Sequence, residues 1–143
     1  MELECRDLPT RDFMPGEVVV EEGKKSGHLY FLKSGSLEIS RDGVAIAELS
    51  EPGTVIGEIS ILLDRPHTAH VVASVPSVLY FVEDVDGFLR DHPEVNLFIS
   101  RSLARRVDAL TCYVVDLKQQ FAEEEGHLGM VHEVLDSLLH ARH

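Results

Sequence analysis

Residues 28–49 read HLYFLKSGSLEISRDGVAIAEL, and this run decides the fold class. Three short runs rich in aliphatic, aromatic or β-branched residues (HLYFLK, SLEIS, VAIAEL) are separated by Ser34-Gly35 and Asp42-Gly43. Aspartate and glycine tolerate the positive φ that a two-residue hairpin turn needs, so Asp42-Gly43 predicts a hairpin between SLEIS and VAIAEL. Outward in both directions the pattern repeats: EVVVEE at 17–22, AHVVAS at 69–74 and SVLYFV at 77–82, with Pro15-Gly16 and Pro52-Gly53 as further turn signals. Many short strands at this spacing, from about Glu17 to Glu83, predict an antiparallel sandwich, barrel or roll.

Beyond Glu83 the pattern turns helical. DVDGFLRDH (84–92) reads as a short helix, and Pro93 then suits the first position of a long one. Leu103, Val107, Leu110, Val114, Leu117 and Phe121 are spaced four, three, four, three, four, which is a heptad seam. With Val107, Val114 and Phe121 at a and Leu103, Leu110 and Leu117 at d, the seam favours a parallel two-stranded pair. The register runs on through Leu128, Val131, Leu135 and Leu138, broken at d by Glu124 and flanked by Gly126 and Gly129, where the helix either continues or kinks. The same stripe would also serve a helix that packs on its own β-roll. The expected organisation is a β-roll with short flanking helices over 1–100, then a long helix and helical tail over 101–143 that forms the dimerisation segment.

Composition narrows the function classes. A chain of 143 residues holds one domain with appendages. No segment is apolar for long enough to cross a bilayer, and the acidic start MELECRDLPTRDF is no signal peptide, so a cytoplasmic protein without membrane contact is expected. Cys5 and Cys112 are too far apart and too unlike in context to suggest a disulfide framework or metal knuckle. The formal net charge of −12 argues against direct nucleic-acid binding. The basic cluster Arg101, Arg105, Arg106 reads as the solvated face of a helix. The tail HLGMVHEVLDSLLHARH, 127–143, is too short for a helix-turn-helix domain.

The most specific segment is IGEISILLDRPHTAHVVA, residues 56–73. A glycine and a carboxylate precede a short apolar turn, and a loop with proline, a hydroxyl and alanine leads into a strand. Such a turn presents backbone N–H groups at a helix start, where phosphate binds favourably. Small residues such as Gly57 and Ala69 let a ligand approach the backbone.

From about Phe13 to Leu110 the chain resembles the cyclic-nucleotide-binding domain family, found in catabolite-activator-like regulators, kinase regulatory subunits and gated channels. MPGEVVVEEG (14–23) resembles the family's opening strand and turn, HLYFLKSGSLEI (28–39) its central hairpin, and ELSEPGTVIGEISIL (48–62) its approach to the phosphate cassette. The resemblance implies a mainly β fold, an antiparallel β-roll (double-stranded β-helix, or jelly roll) with a long C-terminal helix. It also implies that Glu58 accepts a hydrogen bond from a ribose 2′-hydroxyl and that backbone N–H groups around Gly57, Ile59 and Ser60 line the sugar-phosphate. Thr68 and Ala69 would add phosphate contacts, and Thr111 would lie near the base. The implied ligand is cyclic AMP or cyclic GMP, with no cofactor beyond it.

One departure matters. Directly before Thr68, where the family places its phosphate-binding arginine, stands His67. Arginine offers a permanent charge and a planar fork, whereas histidine is shorter and mostly neutral at pH 7. Arg65 is near, but Pro66 restricts how it is aimed. The expectation is a regulatory or sensor module of reduced affinity, forming a homodimer through its long helix and acting on a protein effector. The alternative is a degenerate relative without a nucleotide ligand that serves assembly.

Enzyme readings fare worse. A metal-dependent cupin needs ligands on one face of its strands, whereas His67 and His70 would point oppositely in an extended strand. His28 and His92 have no neighbouring ligand pattern, and His127 and His132 fall on the helical tail. No nucleophile or phosphate-loop signature occurs. No catalytic residue and no metal site is expected.

Overall fold

A computed structural model describes residues 8–122 and 133–139. Eight strands run in the order β1 (Thr10–Phe13), β2 (Val18–Val20), β3 (Leu29–Ser34), β4 (Leu37–Arg41), β5 (Val44–Leu49), β6 (Val55–Ile56), β7 (His70–Ala73) and β8 (Ser77–Val82). Helix α1 (Glu58–Leu63) interrupts them between β6 and β7, and α2 (Val85–Asp91) and α3 (Pro93–Gln120) follow. They form two antiparallel four-stranded sheets, ordered β1-β8-β3-β6 and β2-β7-β4-β5. This is the expected antiparallel β-roll with a long helix after it.

Local chemistry explains the elements. β5 covers VAIAEL as expected, and the turn before it has Asp42 at φ 52° and Gly43 at φ 78°, the two positive values of a twisted hairpin turn. β3 is apolar on both faces and buried on both. Tyr30 and Leu32 enter the core between the sheets with Leu37, Val71 and Leu79, while Phe31, on the opposite face, meets Phe88 of α2 at 6.3 Å between ring centres. Each fully buried Leu or Phe contributes about 1.5–3 kcal/mol of hydrophobic free energy. β1 and the two-residue β6 were not anticipated. TRDF carries one buried residue and holds as an edge strand through its pairing with β8.

The chain divides into two compact units at Asn96 and Leu97. In the first, Asp84 caps α2 by accepting from the Gly87 N–H at 3.2 Å, and His92 ends it, stacked on Phe88 with its Nδ1 3.0 Å from the Phe88 carbonyl. Pro93 opens α3, as its fixed φ and missing N–H allow. Along α3, Val107 and Leu110 are exposed, Val114 is buried, and Leu103 and Leu117 are half-buried. Phe121 follows the last helical residue and donates its N–H to the Leu117 carbonyl. Residues 133–139 are helical and include Leu135 and Leu138. Cys5, Glu124, Gly126, His127, Leu128, Gly129, Val131 and His132 lie outside the described residues.

Candidate functional site

The segment between β6 and β7 folds as one closed turn. Gly57 leads into α1 with φ 94°, and a Cβ there would stand 2.9 Å from the His28 carbonyl oxygen. Only glycine turns the chain there while pressed against the start of β3. Glu58, the first residue of α1, is buried, and Ile59 is half-buried. Ser60 is buried too, with its hydroxyl donating to the Arg65 carbonyl at 2.5 Å while the Arg65 N–H donates to the Ser60 carbonyl at 3.1 Å. That side chain is committed to closing the turn, so Ser60 offers a ligand its main chain.

His67 is the buried member of the loop, 6% exposed, whereas Arg65 and Pro66 beside it are exposed. Its Cε1 lies 3.5 Å from the position a Gly57 Cβ would take. Burial pushes the imidazole below its ordinary pKa and the nearby Glu58 carboxylate opposes this only in part, so the ring is neutral at pH 7. Thr68 and Ala69 follow, half-buried, and β7 starts at His70. The sequence-based parity argument for His67 and His70 therefore does not apply, because His67 precedes the strand in a loop that bends at Thr68 and Ala69.

A second segment, absent from the sequence-based site, completes this one. The turn 23–27, GKKSG, between β2 and β3 clasps the cassette. Gly23 N–H donates to the His67 carbonyl at 2.9 Å, and His67 N–H donates to the Lys24 carbonyl at 3.0 Å. Ser26 Oγ is 2.9 Å from His67 Nε2. Lys25 Nζ donates to Asp64 Oδ1 at 2.9 Å, and that pairing holds the Asp64 carboxyl below its usual range. Two glycines around a polar triplet mark a turn, yet its partner lies about forty residues on, beyond any local pattern. Thr111 belongs to the second unit, where its hydroxyl donates to the Val107 carbonyl at 2.8 Å. Gly57, Glu58 and His67 are thus brought together, with Ile59, Ser60, Thr68 and Ala69 in the same segment. Among the described residues no three His, Cys, Asp or Glu side chains group as metal ligands, and no helix is long and apolar enough to cross a membrane.

The family model of the cyclic nucleotide-binding domain matches residues 10–90, from β1 through most of α2. The chain belongs to the cyclic nucleotide-binding domain family. It is 30% identical over 118 residues to the cAMP-dependent protein kinase regulatory subunit of Yarrowia lipolytica, covering 71% of this chain and 31% of that protein. Over 77 residues it is 40% identical to the acetyltransferase Pat of Mycolicibacterium smegmatis, covering 52% of this chain and 23% of that one. The chain therefore spans a third or less of these relatives' lengths. In fold it is similar to the catabolite activator protein of Thermus thermophilus, with a TM-score of 0.64 at 24% identity over 96% of this chain and 79% of that one. As a cyclic nucleotide-binding domain it has a regulatory or sensing role.

Proposed function

We propose that this domain binds cyclic AMP or cyclic GMP with reduced affinity and acts as a sensor that reports to a protein effector from the cytoplasm. The observation that supports this is the meeting of Gly57 and Glu58, at the start of α1, with a buried, neutral His67 in the segment that resembles the family's phosphate cassette. Glu58 accepts from the ribose 2′-hydroxyl. The N–H groups of Gly57, Ile59 and Ser60 face the sugar-phosphate, since the first N–H groups of a helix have no intrahelical partner. Thr68 and Ala69 add phosphate contacts. Replacing a charge-assisted bond to phosphate by a neutral ring costs about 1.5–3 kcal/mol, or one to two decades of affinity.

The exposed Val107 and Leu110 support a homodimer through the α3 seam, because an a/d pair left in water gains from a partner helix. One observation favours the alternative of an assembly module without nucleotide: His67 Nε2 already has a partner in Ser26. Calorimetric titration of the parent and His67→Arg with cyclic AMP and cyclic GMP separates the two. Binding by the parent, strengthened tenfold or more in His67→Arg, supports the sensor. Absence of binding by both proteins selects the assembly module.

A further inference from the structure

We propose that Ser26 sets ligand affinity at this site, its hydroxyl holding His67 Nε2 so that a cyclic nucleotide must displace it to reach the imidazole. The inference rests on the cyclic-nucleotide reading above. A neutral imidazole has one donor and one acceptor nitrogen, and Ser26 Oγ at 2.9 Å occupies Nε2 whichever of the two groups donates. A hydroxyl of the chain itself thus occupies the ring nitrogen that the proposed site would turn to phosphate.

The position of His67 does not depend on this bond. Its main chain is fixed on both sides, to Gly23 through its carbonyl and to Lys24 through its N–H, and its ring is packed beside Gly57. Ser26 Oγ also accepts from the His28 N–H, but at a long 3.3 Å, so the Ser26 contact with the ring is the releasable one. Ser26 is exposed, so water replaces the bond once it opens. Gly23 and Gly27, at φ 85° and 71°, bracket the turn, and a Cβ at either would meet nothing within 4 Å, so the turn is not wedged into the core. The Lys25–Asp64 pair alongside is exposed at both ends and holds the turn weakly.

The experiment compares cyclic-nucleotide affinity in the parent, Ser26→Ala, Ser26→Thr, His67→Arg and Ser26→Ala/His67→Arg. Removing a competing neutral hydrogen bond should tighten binding in Ser26→Ala by about three- to tenfold. Ser26→Thr, which keeps the hydroxyl, should match the parent, and the double variant should bind like His67→Arg, since the gain acts through the imidazole. Unchanged or weaker binding by Ser26→Ala, with His67→Arg binding well, overturns the latch and leaves the sensor reading standing. An equal gain on the His67→Arg background also overturns it. Failure of every variant to bind overturns the cyclic-nucleotide reading and the latch with it.

Discussion

Gly57→Ala and Gly53→Ala make a matched pair. Both glycines have φ near +90°, at 94° and 90°, so an alanine at either meets the same left-handed backbone cost of about 1–2 kcal/mol. Both gain the same stabilisation, about 0.4–1 kcal/mol, from restricting the unfolded chain. They differ in surroundings: a Cβ at Gly53 meets nothing within 4 Å, whereas one at Gly57 meets the His28 carbonyl oxygen at 2.9 Å. That oxygen belongs to the backbone at the entrance to β3 and cannot swing aside, so the overlap adds about 1–3 kcal/mol. Gly53→Ala should destabilise by roughly 0–1.5 kcal/mol and Gly57→Ala by roughly 1–4.5, with the second always the larger. Urea unfolding followed by circular dichroism reads both as midpoint shifts at unchanged slope. Equal shifts would refute the claim that close approach to His28, rather than φ alone, demands glycine at the cassette's entrance.

Glu58→Ala should weaken cyclic-nucleotide binding tenfold or more, the loss expected for a charged hydrogen bond, and equal calorimetric affinities in the two proteins would remove Glu58 from the site. Leu110→Glu with Leu117→Glu should convert a dimer into monomers in sedimentation at tens of micromolar, and a parent that sediments as a monomer there argues against the seam. His67 also predicts a pH effect on stability. Its folded pKa lies below the unfolded value near 6.5, so the unfolded chain takes up the proton first; the stabilisation is present above about pH 6.5 and fades as pH falls through the folded pKa. His67→Gln should lack that acid-side decline, and parallel stability profiles from pH 5 to 8 would show that burial does not hold the ring neutral.

The roll was legible because its strands carry their own signals. LYFL announces a strand buried on both faces, and Asp-Gly announces the hairpin that joins β4 to β5. β1 was not legible, since Thr10, Arg11 and Asp12 are exposed and only pairing with β8 makes them a strand. The cassette divides in the same way. Gly57 and Glu58 stand out as the glycine a tight turn requires and a carboxylate suited to the proposed ribose contact. Ser26 does not, because a serine between lysine and glycine is an ordinary turn residue until the fold sets it 2.9 Å from His67.

The same distinction alters what the histidine means. Read as a sequence, His67 is a shorter stand-in for arginine whose imidazolium form a bound phosphate anion would favour, with the proton taken from solvent and affinity changing most between about pH 5.5 and 8. In the fold it is buried, bonded to Ser26 and held below its ordinary pKa, so the imidazole stays neutral to lower pH than that of an exposed histidine. A bound anion still raises that pKa, and binding therefore still tightens as pH falls. The sign is unchanged, but the acid limit of the effect follows the lowered pKa of the imidazole and moves down with it. The response of the parent to cyclic nucleotide near neutral pH then depends on the hydroxyl of residue 26 as well as on the charge of residue 67. For this reason Ser26→Ala and His67→Arg should both strengthen binding, the first by freeing the nitrogen and the second by replacing it with a permanent cation.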